Sequence, residues 1–220
     1  MAAPYDQHKR AVRGFRWVIF ALAAFYMLRT FVFAADYSSP GGPFRYLTVW
    51  ALVLNFVTTS RMLALSEHRS TRDWGPLVGV AAVTNMLVVF LYWRLFLIDP
   101  KLVNNGTPIW WVEYYMHLIG PVLLWVDAIF VYRAFHHVWQ SLVGLAALVL
   151  GYIAWMELFV GPLNDLPQGL VTSGLPYPFL NNMQWDERLG FYVTTGITVG
   201  VLLLVFWAFC AGVRRLVQHG

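Results

Sequence analysis

The sequence predicts an all-α polytopic membrane protein, a single six-helix transmembrane domain over residues 1–220 with both termini cytoplasmic. Three observations predict it. Hydrophobic residues make up 59% of the 220 positions and charged residues only 12%, about half the charged share of a soluble domain. Six apolar runs each reach the length of a spanning helix, which takes about 20 mostly apolar residues. Lys and Arg in the connecting segments gather on one side of those runs, as they do in cytoplasmic loops. The 11 Trp, 11 Tyr and 16 Phe suit a protein with two water–lipid interfaces, where amphipathic rings collect.

The runs lie near 14–34, 45–65, 76–98, 109–132, 139–161 and 189–213. In hydrocarbon a backbone must satisfy its own hydrogen bonds, so each is read as a helix. The first is preceded by Lys9, Arg10 and Arg13 and carries Arg16 in its first turn. It is too long for a signal-peptide core and lacks a small-residue cleavage site, so no cleavable signal peptide is expected. The second is followed by Arg61, Arg69 and Arg72, the fourth by Arg133 and the sixth by Arg214 and Arg215. With six spans all of these fall on one side. The opposite side keeps Arg45, Lys101 and Arg188 among Asp36, Asp99, Asp165, Asp186 and Glu187. The net charge of +4 thus follows topology and does not point to nucleic acid. The inner membrane is the expected location if the source is bacterial.

Between the fifth and sixth runs lies the longest outer segment, about 161–188, rich in Pro, Gly and Asn and containing LPYPFLNN at 175–182. A loop of that length commonly has a function of its own, and a lid over a site is one expectation. Gly75-x-x-x-Gly79 and Gly196-x-x-x-Gly200 are candidate close-contact motifs. The single cysteine, Cys210, forbids an intrachain disulfide and reads as a small buried hydrophobe.

The fourth run, IWWVEYYMHLIGPVLLWVDAIFVY, is the informative one. It carries Glu113, His117 and Asp127, and an ionisable group within a membrane span marks a functional site by default. At 1.5 Å per residue, His117 lies ~12 Å from the outer end. Thr48 lies one turn into the second run, and Asn55, seven residues on, shares its face. Arg29, Asn85, Arg94, Glu157, Arg188 and Tyr192 also map to the outer half, so a polar cavity near the outer leaflet is expected. Each has a structural alternative. A membrane Thr usually bonds its own i−4 carbonyl, Glu157, Arg94 and Arg188 suit interface ion pairs, and Asp127 suits a cap or a pair. His136 and His137 fall in a connecting loop and read as solvated; His8, His68 and His219 also lie outside the runs.

Several chemistries are excluded. Bis-histidine haem needs two facing membrane histidines, and His117 stands alone within the runs. HExxH and G-x-S-x-G are absent, so neither a membrane zinc hydrolase nor a serine elbow is indicated. No cofactor and no catalytic metal are implied. A hydroxyl nucleophile with a histidine base needs only two adjacent side chains, and Thr48 is the best-placed hydroxyl.

FRYLTVWALVLN at 44–55 resembles the threonine segment of the androgen-induced protein and ADTRP family. EYYMHLIGPVLLWVDAIF at 113–130 resembles that family's histidine helix, with a proline four residues after the histidine. LPYPFLNN resembles the tyrosine–proline loop of bacterial relatives. The resemblance covers most of the chain. It implies a multi-pass threonine hydrolase acting on lipid esters drawn from the bilayer, such as fatty acid esters of hydroxy fatty acids. It makes Thr48 the nucleophile and His117 its general base. Glu113 or Asn55 would then orient the imidazole, and Arg29, Arg94 or Arg188 would receive a fatty carboxylate. The rival expectation is a non-catalytic lipid-binding or transport protein using the same cavity.

Overall fold

In the computed structural model, residues 7–103, 109–164 and 174–218 are described. Among them there is no strand, and six helices are long and apolar enough to cross a membrane. They are α1 (Arg10–Phe33), α2 (Leu47–Ser66), α3 (Gly75–Ile98), α4 (Trp110–Val131), α5 (Val138–Leu163) and α6 (Trp185–Val213, the helix running on to Gln218). Their ends fall within a few residues of the expected runs. Twenty to twenty-nine residues of helix span about 30–44 Å.

α3 is the central helix and packs against α2, α4, α5 and α6, while α1 lies against α2 and α4. The reason is compositional. α3 is small and apolar all round (Gly75, Gly79, Ala81, Ala82, Val83), which suits a helix with neighbours on every side. Gly79 permits the closest approach, since a Cβ there would meet Ser141 Oγ of α5 at 2.5 Å. The expected contact at Gly196 and Gly200 is absent, because a Cβ at either would meet nothing within 4 Å. α1, α5 and α6 instead turn Val18, Leu150 and Ile197 outward, each more than half exposed, as lipid-facing residues are. The main core joins α2 to α6 and includes Met62, Val83, Leu87, Leu145, Leu203 and Cys210.

Four π-helical turns interrupt the spans, at Arg29–Phe33, Tyr115–Ile119, Asp127–Val131 and Met156–Val160. Each contains one ionisable residue of a span: Arg29, His117, Asp127 and Glu157. Such wide turns are rare and favour functional positions. One has a plain cause. Pro121 has no N–H to give the His117 carbonyl four residues back, and the Trp93 indole N–H takes that carbonyl at 2.8 Å.

Arg16, expected as a loop-side topological charge, is instead fully buried in α1. It meets Asp127 of α4 in a two-pronged ion pair, Nη2 to Oδ1 at 2.8 Å and Nε to Oδ2 at 2.9 Å. Nη1 donates to Ser66 Oγ and the Met62 carbonyl of α2, and Nη2 to Gln7 Oε1. These bonds, with the Phe130–Phe209 contact, gather the N-terminal segment and the C-terminal ends of α2, α4 and α6 at one end of the bundle.

The lid expectation for 161–188 falls partly outside the described residues. Of the described part, Tyr177 and the one-turn helix Pro178–Asn181 pack on Tyr152, Met156 and Tyr192. Asn181 pins this segment by two bonds to Leu175, accepting from its N–H at 3.0 Å and donating to its carbonyl at 2.8 Å.

Candidate functional site: a threonine–histidine pair in an apolar cavity

α2 begins at Leu47, after an extended Tyr46. The opening N–H groups of a helix have no partner within it. Here the Leu47 N–H donates to the Tyr177 hydroxyl at 2.9 Å, so the tyrosine–proline segment caps the helix that carries Thr48. Tyr152 of α5 donates to the Arg45 carbonyl at 2.9 Å and lies 3.5 Å from the Tyr177 hydroxyl.

Thr48 sits in this first turn and escapes the usual fate of a membrane threonine. Thr59, Thr194 and Thr198 bond the carbonyl four residues back. For Thr48 that carbonyl belongs to Phe44, which precedes the helix across the extended Tyr46 and accepts from two indoles, Trp50 at 2.8 Å and Trp155 at 3.2 Å. The Thr48 hydroxyl turns instead to α4, where Oγ1 lies 3.3 Å from His117 Nε2.

The other ring nitrogen fixes the tautomer. His117 Nδ1 is 3.1 Å from the Glu113 carbonyl, which only accepts, so Nδ1 carries the proton and Nε2 presents its lone pair to Thr48. Glu113 Oε2 is also close to Nδ1, at 3.2 Å, but makes no hydrogen bond of its own there. The carboxylate therefore acts on the ring as a nearby charge, and the carbonyl holds the proton. The Tyr92 ring stacks on the imidazole with centroids 3.6 Å apart and planes 7° from parallel. Ring plane, tautomer and helix turn at His117 are thus each set by a separate contact.

Thr48, Glu113, His117 and Tyr192 line one cavity of about 300 Å³, at the small end of ligand sites. Its remaining walls are mostly aliphatic and aromatic, among them Leu87, Leu91, Val149 and Phe179. Tyr177 also lines it. Burial pushes that hydroxyl up to about 12, against the lowering effect of its bonds to Tyr152 and the Leu47 N–H, so it stays protonated at neutral pH.

The remaining expected site residues divide. Glu157 accepts from the Tyr192 hydroxyl at 2.6 Å and lies 3.8 Å from Arg188 Nε, so both adjoin the cavity through Tyr192. Asn55 and Asn85 are buried in helix packing and, among the described residues, do not line it; Asn85 bonds back to the Ala81 carbonyl at 2.8 Å. Arg29 lies over the Trp111 ring at 5.0 Å and Arg94 is exposed, so neither lines it either. Of the expected polar residues the cavity wall keeps only those on α2, α4 and α6, while Tyr92 of α3 and Tyr152 of α5 line it as well. Sequence reasoning missed Tyr92, Tyr152 and Tyr177 as individuals, although the last stands in the LPYPFLNN motif.

The FAR-17a/AIG1-like family profile matches residues 14–210, reaching into all six spans. The chain belongs to that family. It is the family that the residues around Thr48 and His117 resemble, and it includes the androgen-induced and ADTRP proteins. No curated protein and no solved structure gives a significant match.

Proposed function

We propose that this family member is an intramembrane hydrolase of lipid esters, with Thr48 as nucleophile and His117 as general base. The observation that carries the reading is the pairing of a freed Thr48 hydroxyl with His117 Nε2, in the tautomer that accepts a proton, inside an apolar cavity. A separation of 3.3 Å is long for a bond that tightens when substrate binds.

In the first half-reaction Nε2 takes the Thr48 proton as Oγ1 attacks the ester carbonyl carbon. The tetrahedral adduct collapses, the alcohol oxygen leaves with the proton from Nε2, and acyl-threonine remains. Water then attacks that ester and gives a proton to Nε2, and Nε2 passes it to Thr48 Oγ1 as the adduct collapses and the fatty acid is released. Tyr177 is the candidate donor to the developing oxyanion. Its oxygen already accepts from Leu47, and its own proton is left for the cavity it lines. Glu113 stabilises the imidazolium formed in each half. The aliphatic walls suit an acyl chain, and fatty acid esters of hydroxy fatty acids are the substrate class that the family resemblance favours. Of the three candidate arginines, Arg188 is the one whose ion-pair partner bonds a cavity residue, so it is the candidate for a free carboxylate.

The test is labelling of the purified protein by a fluorophosphonate. Labelling of the wild type that Thr48→Ala and His117→Ala both abolish supports the reading. Labelling that survives Thr48→Ala places the nucleophile elsewhere. No labelling of folded wild type whose site is shown to admit the probe favours the lipid-binding reading instead.

A further inference from the structure

At the end of the bundle opposite Thr48, three metal-ligating side chains converge. Asp73 closes the α2–α3 connection, and His136 and His137 close the α4–α5 connection. The sequence reads these histidines as solvated. The structure turns both onto one atom: His136 Nε2 and His137 Nε2 are each 2.9 Å from Asp73 Oδ2, and the three donor atoms lie within 4.8 Å of one another.

The surrounding chain is built to hold them there. Asp73 Oδ1 accepts the Tyr132 hydroxyl at 2.6 Å and the Gly75 N–H at 2.8 Å. One carboxylate oxygen is thereby fixed and the other left outward, as outer bonds fix a ligating carboxylate. Arg133 and Phe135 have φ of 57° and 69°, values that residues with a side chain rarely adopt. Phe135 is fully buried and stacks on Phe206 of α6 at 5.2 Å, which anchors this unusual backbone. The bend it makes lets two successive histidines aim at one point. Gly75 leaves them room, because a Cβ there would lie 2.9 Å from His136 Cε1 and 3.1 Å from Asp73 Oδ1.

We propose that Asp73, His136 and His137 bind one divalent transition-metal ion of the zinc class, with water as fourth ligand. Two imidazole nitrogens and a carboxylate oxygen suit zinc, cobalt or nickel better than magnesium or calcium, which prefer oxygen alone. Bonds of about 2.0–2.2 Å in a tetrahedron set neighbouring donors roughly 3.3–3.6 Å apart. The 2.9 Å separations open to that by small ring movements. The side chains are 40–47% exposed, so an ion has an entry path. Once bound it ties the α2–α3 connection to the α4–α5 connection. The site shares no residue with the Thr48 cavity, and it stands whether or not the hydrolase reading does.

The test uses the full chain, purified in detergent with a histidine-free tag, stripped by chelator and titrated with Co²⁺, then Zn²⁺. The expected result is one Co²⁺ per chain with the visible absorption of a tetrahedral site, displaced by Zn²⁺, and a raised unfolding temperature with either ion. His136→Ala, His137→Ala and Asp73→Asn each weaken binding at least about tenfold and abolish the thermal shift. Tyr132→Phe keeps all three ligands and removes one outer bond; it also weakens binding about tenfold or more, which keeps the test decisive if a ligand variant fails to fold. His8 and His68, stacked at 3.7 Å, are the competing histidine pair. Binding that is lost in a His8→Ala, His68→Ala variant and survives in His136→Ala overturns the proposal, and so does the absence of saturable one-to-one binding.

Discussion

Two polar clusters are buried between the same helices, α2 and α4, one at each end of the bundle, and they obey opposite rules. At the Arg16 end every guanidinium nitrogen has an acceptor, and the chain supplies Asp127, Ser66, Gln7 and a carbonyl to provide them. None of these side chains lines the Thr48 cavity. At the Thr48 end the hydroxyl has one partner at 3.3 Å, Glu113 Oε2 makes no hydrogen bond, and empty apolar space adjoins both. A saturated network fixes a structure, because every change in it leaves a buried group unpaired. A cluster with spare donors and acceptors beside a void is free to take up a substrate. The difference teaches that burial of charge within a span does not by itself mark chemistry. What marks it is incomplete satisfaction next to space.

The strongest attack on this contrast is Thr48→Ala. It should lower ester hydrolysis by at least about 10³-fold, as loss of a nucleophile does, with little change in unfolding temperature. Asp127→Asn should do the reverse. Removing one partner of a buried ion pair costs about 3–5 kcal/mol, while the molecules that remain folded hydrolyse at the wild-type rate. Cys210, fully buried, reports unfolding directly through its reaction with a thiol dye on heating. If Asp127→Asn lowers turnover more than it lowers stability, the two ends are coupled and the contrast fails. Arg16→Met with Asp127→Leu sharpens it. Replacing both partners with apolar residues leaves no orphaned charge, so the double variant should lose far less than either single.

Six apolar runs made the helices legible, because length and hydropathy decide whether a segment spans. His117 was legible for a related reason: one imidazole in an apolar helix stands out. Thr48 was legible by depth and by resemblance, but not by chemistry, since its pairing depends on α4 bringing His117 to it from 69 residues away. Arg16 was misread because a charge one turn inside a span looks like a loop charge until its partner is known. Asn55 was expected from the face it shares with Thr48 and Asn85 from its depth, and neither face-sharing nor depth says which helix packs against that side chain. Tyr92 gave no signal, being one aromatic among many in α3. Contacts between distant segments are the part that no local pattern encodes.

Glu113→Gln asks which part of Glu113 serves His117. The carbonyl that holds Nδ1–H survives this change, so the tautomer survives and only the charge beside the imidazolium is lost. A charge-assisted interaction is worth about 1.5–3 kcal/mol, which is roughly 10- to 150-fold in rate, with stability nearly unchanged. A fall as large as that of Thr48→Ala would mean that the carboxylate, not the carbonyl, sets the tautomer.

Asn55→Leu should have the smallest effect. Asn55 was expected to support the site through the face it shares with Thr48, yet it is 4% exposed, its Oδ1 has no hydrogen bond, and it is absent from the cavity wall. An unpaired buried acceptor is a burden of about 1–3 kcal/mol, so an apolar side chain of similar size should leave hydrolysis unchanged and hold or raise the unfolding temperature. If Asn55→Leu lowers hydrolysis without lowering stability, then Asn55 acts on the site across about two helical turns, and an unsatisfied polar atom in this bundle marks chemistry even where no cavity touches it.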